Sequence, residues 1–194
     1  MRRWKTRALI VAVPVAALTI GATMGGAAGG TTVTAQMRGV SGAEAGTVKI
    51  VASESNAQVV AYVNLPGAPA GFHGFHIHSK GVCDPTAVDP ASGLVVPFFS
   101  AAGHLGGADG QTHPGHAGDM PSLLVNENGT AQLRFKTDRV TLAKILDADG
   151  SAVIIHAGPD NFANIPVRYS ATGPDATTLN TGDSGGRSFC GVLQ

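Results

Sequence analysis

The stretch TVKIVASESNAQVVAYVNL, residues 47–65, decides the fold of this chain. Apolar residues recur with a period near two in its halves, 47–55 and 57–65, and the pair Ser55-Asn56 between them is typical of a turn. A β-strand shows this period because successive side chains point to opposite faces. The pattern returns at residues 131–137 and 151–157, and only residues 141–147 suggest a helical turn. We predict an all-β sandwich or barrel.

The N-terminus has the pattern of an export signal. Four basic residues precede an apolar run at residues 8–22, and small residues follow it. We therefore assign residues 1–35 to a signal peptide or N-terminal membrane anchor and residues 36–194 to one domain. Pro14 and the glycines weaken a long helix, which favours secretion over a retained anchor. Cuts after Ala28 and after Ala35 both fit the pattern.

The charge and the cysteine content limit the partners and the cellular compartment expected for this protein. Removing residues 1–35 takes away four of the thirteen basic residues and none of the thirteen acidic ones, so the remaining surface is mildly acidic. Such a surface argues against nucleic acid as a partner. An exported chain meets oxidising conditions, so Cys83 and Cys190 are expected to form a disulfide, the alternative being two free buried thiols.

Histidine is concentrated in one part of the chain. All seven histidines lie between residues 73 and 156, and the segment GFHGFHIHSKGVCD, residues 71–84, holds three of them. On a strand, His76 and His78 point to one face and can bind one ion. His73 would point to the opposite face of the strand, and we interpret it as a buried histidine that hydrogen-bonds to the backbone of a loop.

A second group of metal-binding residues lies in a long loop. The segment GHLGGADGQTHPGHAGD, residues 103–119, contains His104, His113, His116 and Asp119, and imidazole and carboxylate ligands suit zinc. His156 ends the apolar strand AVIIH and needs a polar partner. One ion does not need so many ligands, so the pattern favours two sites that share one. The loops at 84–118 and 158–186 are long for a compact domain, and we interpret the first as functional.

Five blocks in order carry a family resemblance: HGFHIH, the following GVC, GH…HPGHAGDMPSL, VIIHAGPDN and TGDSGGRSFCGV. Together they resemble the successive signatures of the copper/zinc superoxide dismutases, in their bacterial secreted branch, from about residue 33 to 192. The resemblance implies an eight-stranded Greek-key barrel with two long loops over one face. It also implies dismutation of superoxide to dioxygen and hydrogen peroxide by alternate reduction and oxidation of a histidine-bound copper ion.

The resemblance also implies a role for each matching residue. The copper ligands would be His76, His78, His104 and His156, and the zinc ligands His104, His113, His116 and Asp119. His104 would bridge the two ions and pick up a proton, Asp160 would link a copper histidine to a zinc histidine, Arg187 would guide the anion, and Cys83 would pair with Cys190.

Two features depart from the family pattern. The zinc loop is compact, with His113 nine positions after His104 and His116 three positions later. The loop at 157–186 has no lysine, which predicts weaker long-range steering of the anion. The alternative function is a non-catalytic copper- and zinc-binding module of the same fold. The sequence does not decide between a cleaved and a tethered protein, or between a monomer and a homodimer.

Overall fold

The computed structural model describes residues 30–194, a range that holds nine strands and four short helices. The strands are β1 (Thr31–Gly39), β2 (Glu44–Ala52), β3 (Ala57–Asn64), β4 (Gly71–His73), β5 (Phe75–His78), β6 (Leu123–Val125), β7 (Thr130–Thr137), β8 (Ala152–His156) and β9 (Arg187–Val192). The α-helices are α1 (Leu142–Ile145) and α2 (Ala176–Thr181), and two 3-10 turns span Phe99–Ala101 and Gly107–Asp109.

All strand pairs are antiparallel, in the order β4-β6-β7-β3-β2-β1-β9-β8-β5. The two ends of this order, β4 and β5, are consecutive in the chain, so the sheet curves into a nearly closed barrel. The all-β Greek-key prediction is confirmed, with nine strands instead of eight. Gly74 separates β4 from β5, because its N–H donates to Gly158 O at 2.8 Å and its carbonyl accepts from His156 N at 2.9 Å.

The alternating segments supply the core. Every second residue is buried from Val48 to Ala52 in β2 and from Ala57 to Val63 in β3, and Ala45 near the start of β2 is buried as well. The interpretation of residues 47–65 as two strands is confirmed, and the pair is antiparallel in unbroken register from Gly46–Val63 to Ala52–Ala57. Burial of these side chains is the main favourable term for the barrel.

The predicted export signal lies mostly outside the described residues. Residues 31–35 are described, and they form the start of β1, paired with residues 48–52 of β2. Between residues 30 and 194, no helix combines the length and the apolar character needed to cross a membrane.

Two long connections join strands of the barrel. The first, between β5 and β6, is tied to the last strand by the disulfide Cys83–Cys190, as predicted. In the chain-entropy account, closing a loop of 107 residues stabilises the fold by about 4 to 5 kcal/mol. The second, between β8 and β9, contains α2, which begins after Asp175, whose side chain accepts from Thr178 N at 2.9 Å.

Candidate metal centre

Four histidines from three parts of the chain form what we term the four-histidine cluster: His76, His78, His104 and His156. One ring nitrogen from each lies within 4.8 Å of the others, and all four side chains are buried. His76 and His78 come from β5 and His156 from the end of β8. Backbone bonds place His104 beside β5, because Leu105 N donates to Ile77 O at 2.9 Å.

Hydrogen bonds fix which nitrogen of each ring faces the cluster. Three rings donate to oxygen acceptors: His76 Nε2 to Asp160 Oδ2 at 2.7 Å, His78 Nδ1 to Ala102 O at 2.8 Å, and His156 Nδ1 to Gly185 O at 3.0 Å. The opposite nitrogens, Nδ1 of His76 and Nε2 of His78 and His156, are buried without a hydrogen-bond partner. Buried lone pairs are costly unless something binds them, and imidazole nitrogens suit copper. The cluster therefore fits a copper ion.

A second group, the histidine–aspartate cluster, consists of His104, His113, His116 and Asp119. The distances from Asp119 Oδ1 to the three Nδ1 atoms are 2.7 Å for His104, 3.0 Å for His113 and 3.3 Å for His116. These values approach the edge of about 3.3 Å expected for a tetrahedron with bonds near 2.0 Å. The His113 nitrogen makes no hydrogen bond despite its short distance, as expected when two lone pairs face a common point. The cluster fits zinc, and the compact loop brings its residues together.

Two histidines compete for the fourth position of this second group. His76 lies within 4.8 Å of His104, His113 and Asp119. However, its Nε2 is bound to Asp160 and its Nδ1 belongs to the four-histidine cluster. His116 is the better member, because its Nε2 faces Gln111 O at 3.1 Å and its Nδ1 faces Asp119. Since His104 directs Nδ1 to Asp119, its Nε2 is left for the four-histidine cluster.

Asp160 connects the two clusters. Its Oδ2 accepts from His76 Nε2 at 2.7 Å, and its Oδ1 accepts from His113 Nε2 at 2.8 Å and from Phe162 N at 2.7 Å. Burial alone would raise the pKa of Asp160, but the hydrogen bonds from His113 and His76 outweigh it and hold the pKa well below its usual range. The carboxylate is charged at neutral pH and orients one ring of each cluster.

Arg187 lines an open cavity of about 890 Å³ together with His78, His104 and His156. Its guanidinium donates to Phe98 O at 2.5 Å and to Ala102 O at 2.6 Å. Burial lowers the pKa of Arg187, yet an arginine keeps its charge in proteins. The helical side of the cavity carries Thr177, Asn180 and Thr181.

His73 lies outside both clusters. It is buried, with Nδ1 2.7 Å from His156 O and Nε2 2.9 Å from Pro69 O. The prediction that it bonds loop backbone is confirmed at Pro69, and its second contact is with the last residue of β8.

Three residues at the site were not found from the sequence. Ala102 supplies the carbonyl shared by His78 and Arg187. The ring of Phe162 stacks on His113, with planes 17° apart and centroids 6.1 Å apart. Gly182 leaves room for Asp160 and His113, because a Cβ there would overlap both. Gly182 lies within the quoted motif TGDSGGRSFCGV, and Ala102 and Phe162 directly adjoin two other quoted motifs, but no motif shows what these residues face.

The fold is a nearly closed antiparallel barrel, and its two adjoining clusters share one histidine. Together these features define the class of a histidine-rich all-β protein with two candidate metal sites. The chain belongs to the copper/zinc superoxide dismutase family, whose model matches residues 44–193. A Cu-Zn superoxide dismutase of Mycolicibacterium paratuberculosis is 41% identical over 167 residues, covering 83% of this chain and 73% of the relative. One of Deinococcus radiodurans is 30% identical over 95% of this chain and 96% of its own. The solved Cu/Zn superoxide dismutase from Brucella abortus matches with a TM-score of 0.64 at 27% identity, covering 84% of this chain and 100% of its own.

The histidine pKa values predict that the metal-free protein is most stable near pH 6.5. Burial lowers the pKa of His104 to about 4 and that of His156 to about 3, whereas the adjacent carboxylates of Asp119 and Asp160 overcome the burial of His113 and raise its pKa to about 9. In the unfolded chain all three titrate near pH 6.5. Below that pH the unfolded state gains protons that the buried neutral rings do not, and above it folded His113 keeps a proton that the unfolded chain has lost. The free energy of unfolding of the metal-free protein therefore falls both below and above this pH.

Thermal unfolding of chelator-treated protein between pH 4 and pH 9 tests this maximum. Protein loaded with copper and zinc is the control, because bound ions hold the same nitrogens deprotonated. Stability that rises steadily from pH 6.5 to pH 9 in the metal-free protein would contradict the raised pKa of His113.

Proposed function

We propose that this protein is a superoxide dismutase that works outside the cytoplasm, with copper in the four-histidine cluster and zinc in the histidine–aspartate cluster. Two superoxide ions and two protons give one dioxygen and one hydrogen peroxide. The observation that carries the proposal is the set of three buried, unpartnered ring nitrogens that face one point beside Arg187. Bound copper supplies the one-electron couple that this reaction needs, which zinc lacks.

The side chains around the clusters attract the anion, carry a proton and orient the ligands. Arg187 presents a fixed positive charge in the cavity, where it attracts and docks a small anion. His104 can carry a proton at Nε2 for peroxide formation, since Nδ1 is directed to Asp119 and the ring borders the open cavity. Asp160 keeps His76 and His113 in their orientations throughout.

Metal loading tests the function directly. Protein is loaded with copper, with zinc or with both, and metal content is measured beside superoxide consumption. We expect consumption only with copper, and one ion of each kind in the doubly loaded protein. A protein that holds copper but does not consume superoxide would support the non-catalytic metal-binding module instead. Copper without zinc would show that the compact loop does not retain the second ion.

Replacing Arg187 by alanine is expected to keep copper while slowing superoxide consumption about tenfold or more, with a weaker dependence on salt. The reason is that the cavity loses the charge that draws the anion inward. Rates at several ionic strengths measure both effects. Arg168→Ala is the matched control, because Arg168 is exposed in the loop that precedes β9 and does not line the cavity. An unchanged rate and salt slope in Arg187→Ala would contradict steering by this residue.

A location outside the cytoplasm rests on two observations. The disulfide Cys83–Cys190 is a feature of oxidising compartments. The N-terminal sequence has the charge and apolar pattern of an export signal. Of the two candidate cuts, we favour the one after Ala28, because a cut after Ala35 would remove the part of β1 that pairs with residues 48–52. N-terminal sequencing of the exported protein tests this cut and the domain boundary near residue 36.

Two further expectations, a membrane tether through the N-terminal segment and a homodimer, rest on the sequence alone. Fractionation of cells without detergent tests the first, since a tethered protein sediments with membranes. Light scattering of the purified protein tests the second through its molar mass.

A further inference from the structure

The turn that connects Phe98 to Ala102 is strained at both ends. Phe98 has φ 59° and ψ 18°, and Ala102 has φ 61° and ψ −152°. Both residues carry a Cβ, yet both have positive φ, and the combination at Ala102 lies close to a region that is essentially restricted to glycine. Such a conformation persists only where the surroundings hold it.

Arg187 contacts both strained ends. One Nη donates to Phe98 O at 2.5 Å and the other to Ala102 O at 2.6 Å. The planar guanidinium fixes the spacing of its donors, so the two carbonyls are held in one relative position. Beneath the turn, Phe98 and Ala101 pack in a small core with Ile154 and the disulfide.

The carbonyl of Ala102 reaches the four-histidine cluster as well. It accepts from His78 Nδ1 at 2.8 Å, and Nε2 of the same ring is one of the unpartnered nitrogens. The direction of this carbonyl therefore sets the direction of the His78 lone pair. A change in the turn would reach the metal ligand through one hydrogen bond.

We propose that Arg187 is a positioning residue in addition to its role toward the anion: it clamps the strained Phe98–Ala102 turn and so fixes the ring of His78. The effect on His78 rests on the proposed copper site, whereas the clamp itself belongs to the metal-free protein. Experiments can therefore contradict the clamp and its effect on His78 independently of each other.

A double-mutant cycle between Arg187→Lys and Ala102→Gly tests the clamp in the metal-free protein. Lysine keeps the charge but cannot present two fixed donors to two carbonyls. We expect Arg187→Lys to lower the unfolding temperature by about 4 to 8 °C and Ala102→Gly to raise it by about 2 to 6 °C, for a domain of this size. With glycine at position 102 the turn needs no clamp. The decrease in unfolding temperature caused by Arg187→Lys should therefore be smaller by at least about 2 °C in the Ala102→Gly background.

The spectrum of bound copper(II) is a second measurement, and a change in overall stability alone does not alter it. Arg187→Lys should shift the electron paramagnetic resonance spectrum of the copper-loaded protein, and adding Ala102→Gly should return it toward the parent spectrum. Arg139→Lys is the matched control, because Arg139 donates to a single carbonyl, Pro114 O at 2.6 Å, and should show no coupling to Ala102→Gly.

Additive unfolding temperatures, or an Arg187→Lys spectrum identical to the parent, would overturn the proposal. If the protein binds copper without consuming superoxide, the proposed function fails but the cycle still reports on the clamp.

Discussion

Replacing His156 by alanine is expected to remove copper binding and superoxide consumption together. The ring is buried at the end of β8, and its Nδ1 donates to Gly185 O, so only Nε2 is free to bind an ion. Outer residues around metal sites already change affinity by about 10- to 100-fold, so loss of a ligand should exceed a hundredfold. Copper content and the rate of superoxide consumption, measured on one sample, check both parts.

His116→Ala is the matched control for this prediction. His116 is also a buried histidine, but its Nδ1 faces Asp119 in the other cluster. This variant should lose zinc and keep most of its copper. Normal copper content and normal activity in His156→Ala would refute the assignment of the four-histidine cluster.

The sequence predicted the parts of this fold that repeat a local pattern. Alternation at residues 47–65 predicted β2 and β3 because each strand buries one face. Histidines in and beside apolar strands indicated a metal site because an imidazole such as that of His156 must find a partner when it is buried.

Features set by distant contacts could not be predicted in the same way. Helix α2 has six residues, too few to show helical periodicity, and it ends where Gly182 meets Asp160. The role of Ala102 depends on two side chains that lie 24 and 85 positions away in the sequence. The sequence of residues 73–78 has the pattern of a single strand. The hydrogen bonds of Gly74 with Gly158 and His156 divide this segment between β4 and β5.

Gly182→Ala is expected to damage the link between the two clusters without replacing a proposed ligand. Gly182 has φ +61°, and an added Cβ would overlap Asp160 Oδ1 and His113 Nε2. The left-handed backbone costs an alanine about 1 to 2 kcal/mol, and the overlap adds about 1 to 3 kcal/mol. The overlap also separates Asp160 from His113, so zinc affinity should fall at least about tenfold.

Gly173→Ala separates these two contributions. Gly173 has φ +74° in the same loop, but an added Cβ there meets no heavy atom within 4 Å. This variant should show the backbone cost alone, with zinc affinity unchanged. Denaturant unfolding of the metal-free proteins measures the stability difference, and competition with a chelator measures zinc affinity. Because both variants introduce the same methyl group at a positive φ, equal losses of stability with equal zinc affinity would mean that Asp160 does not depend on the space above Gly182.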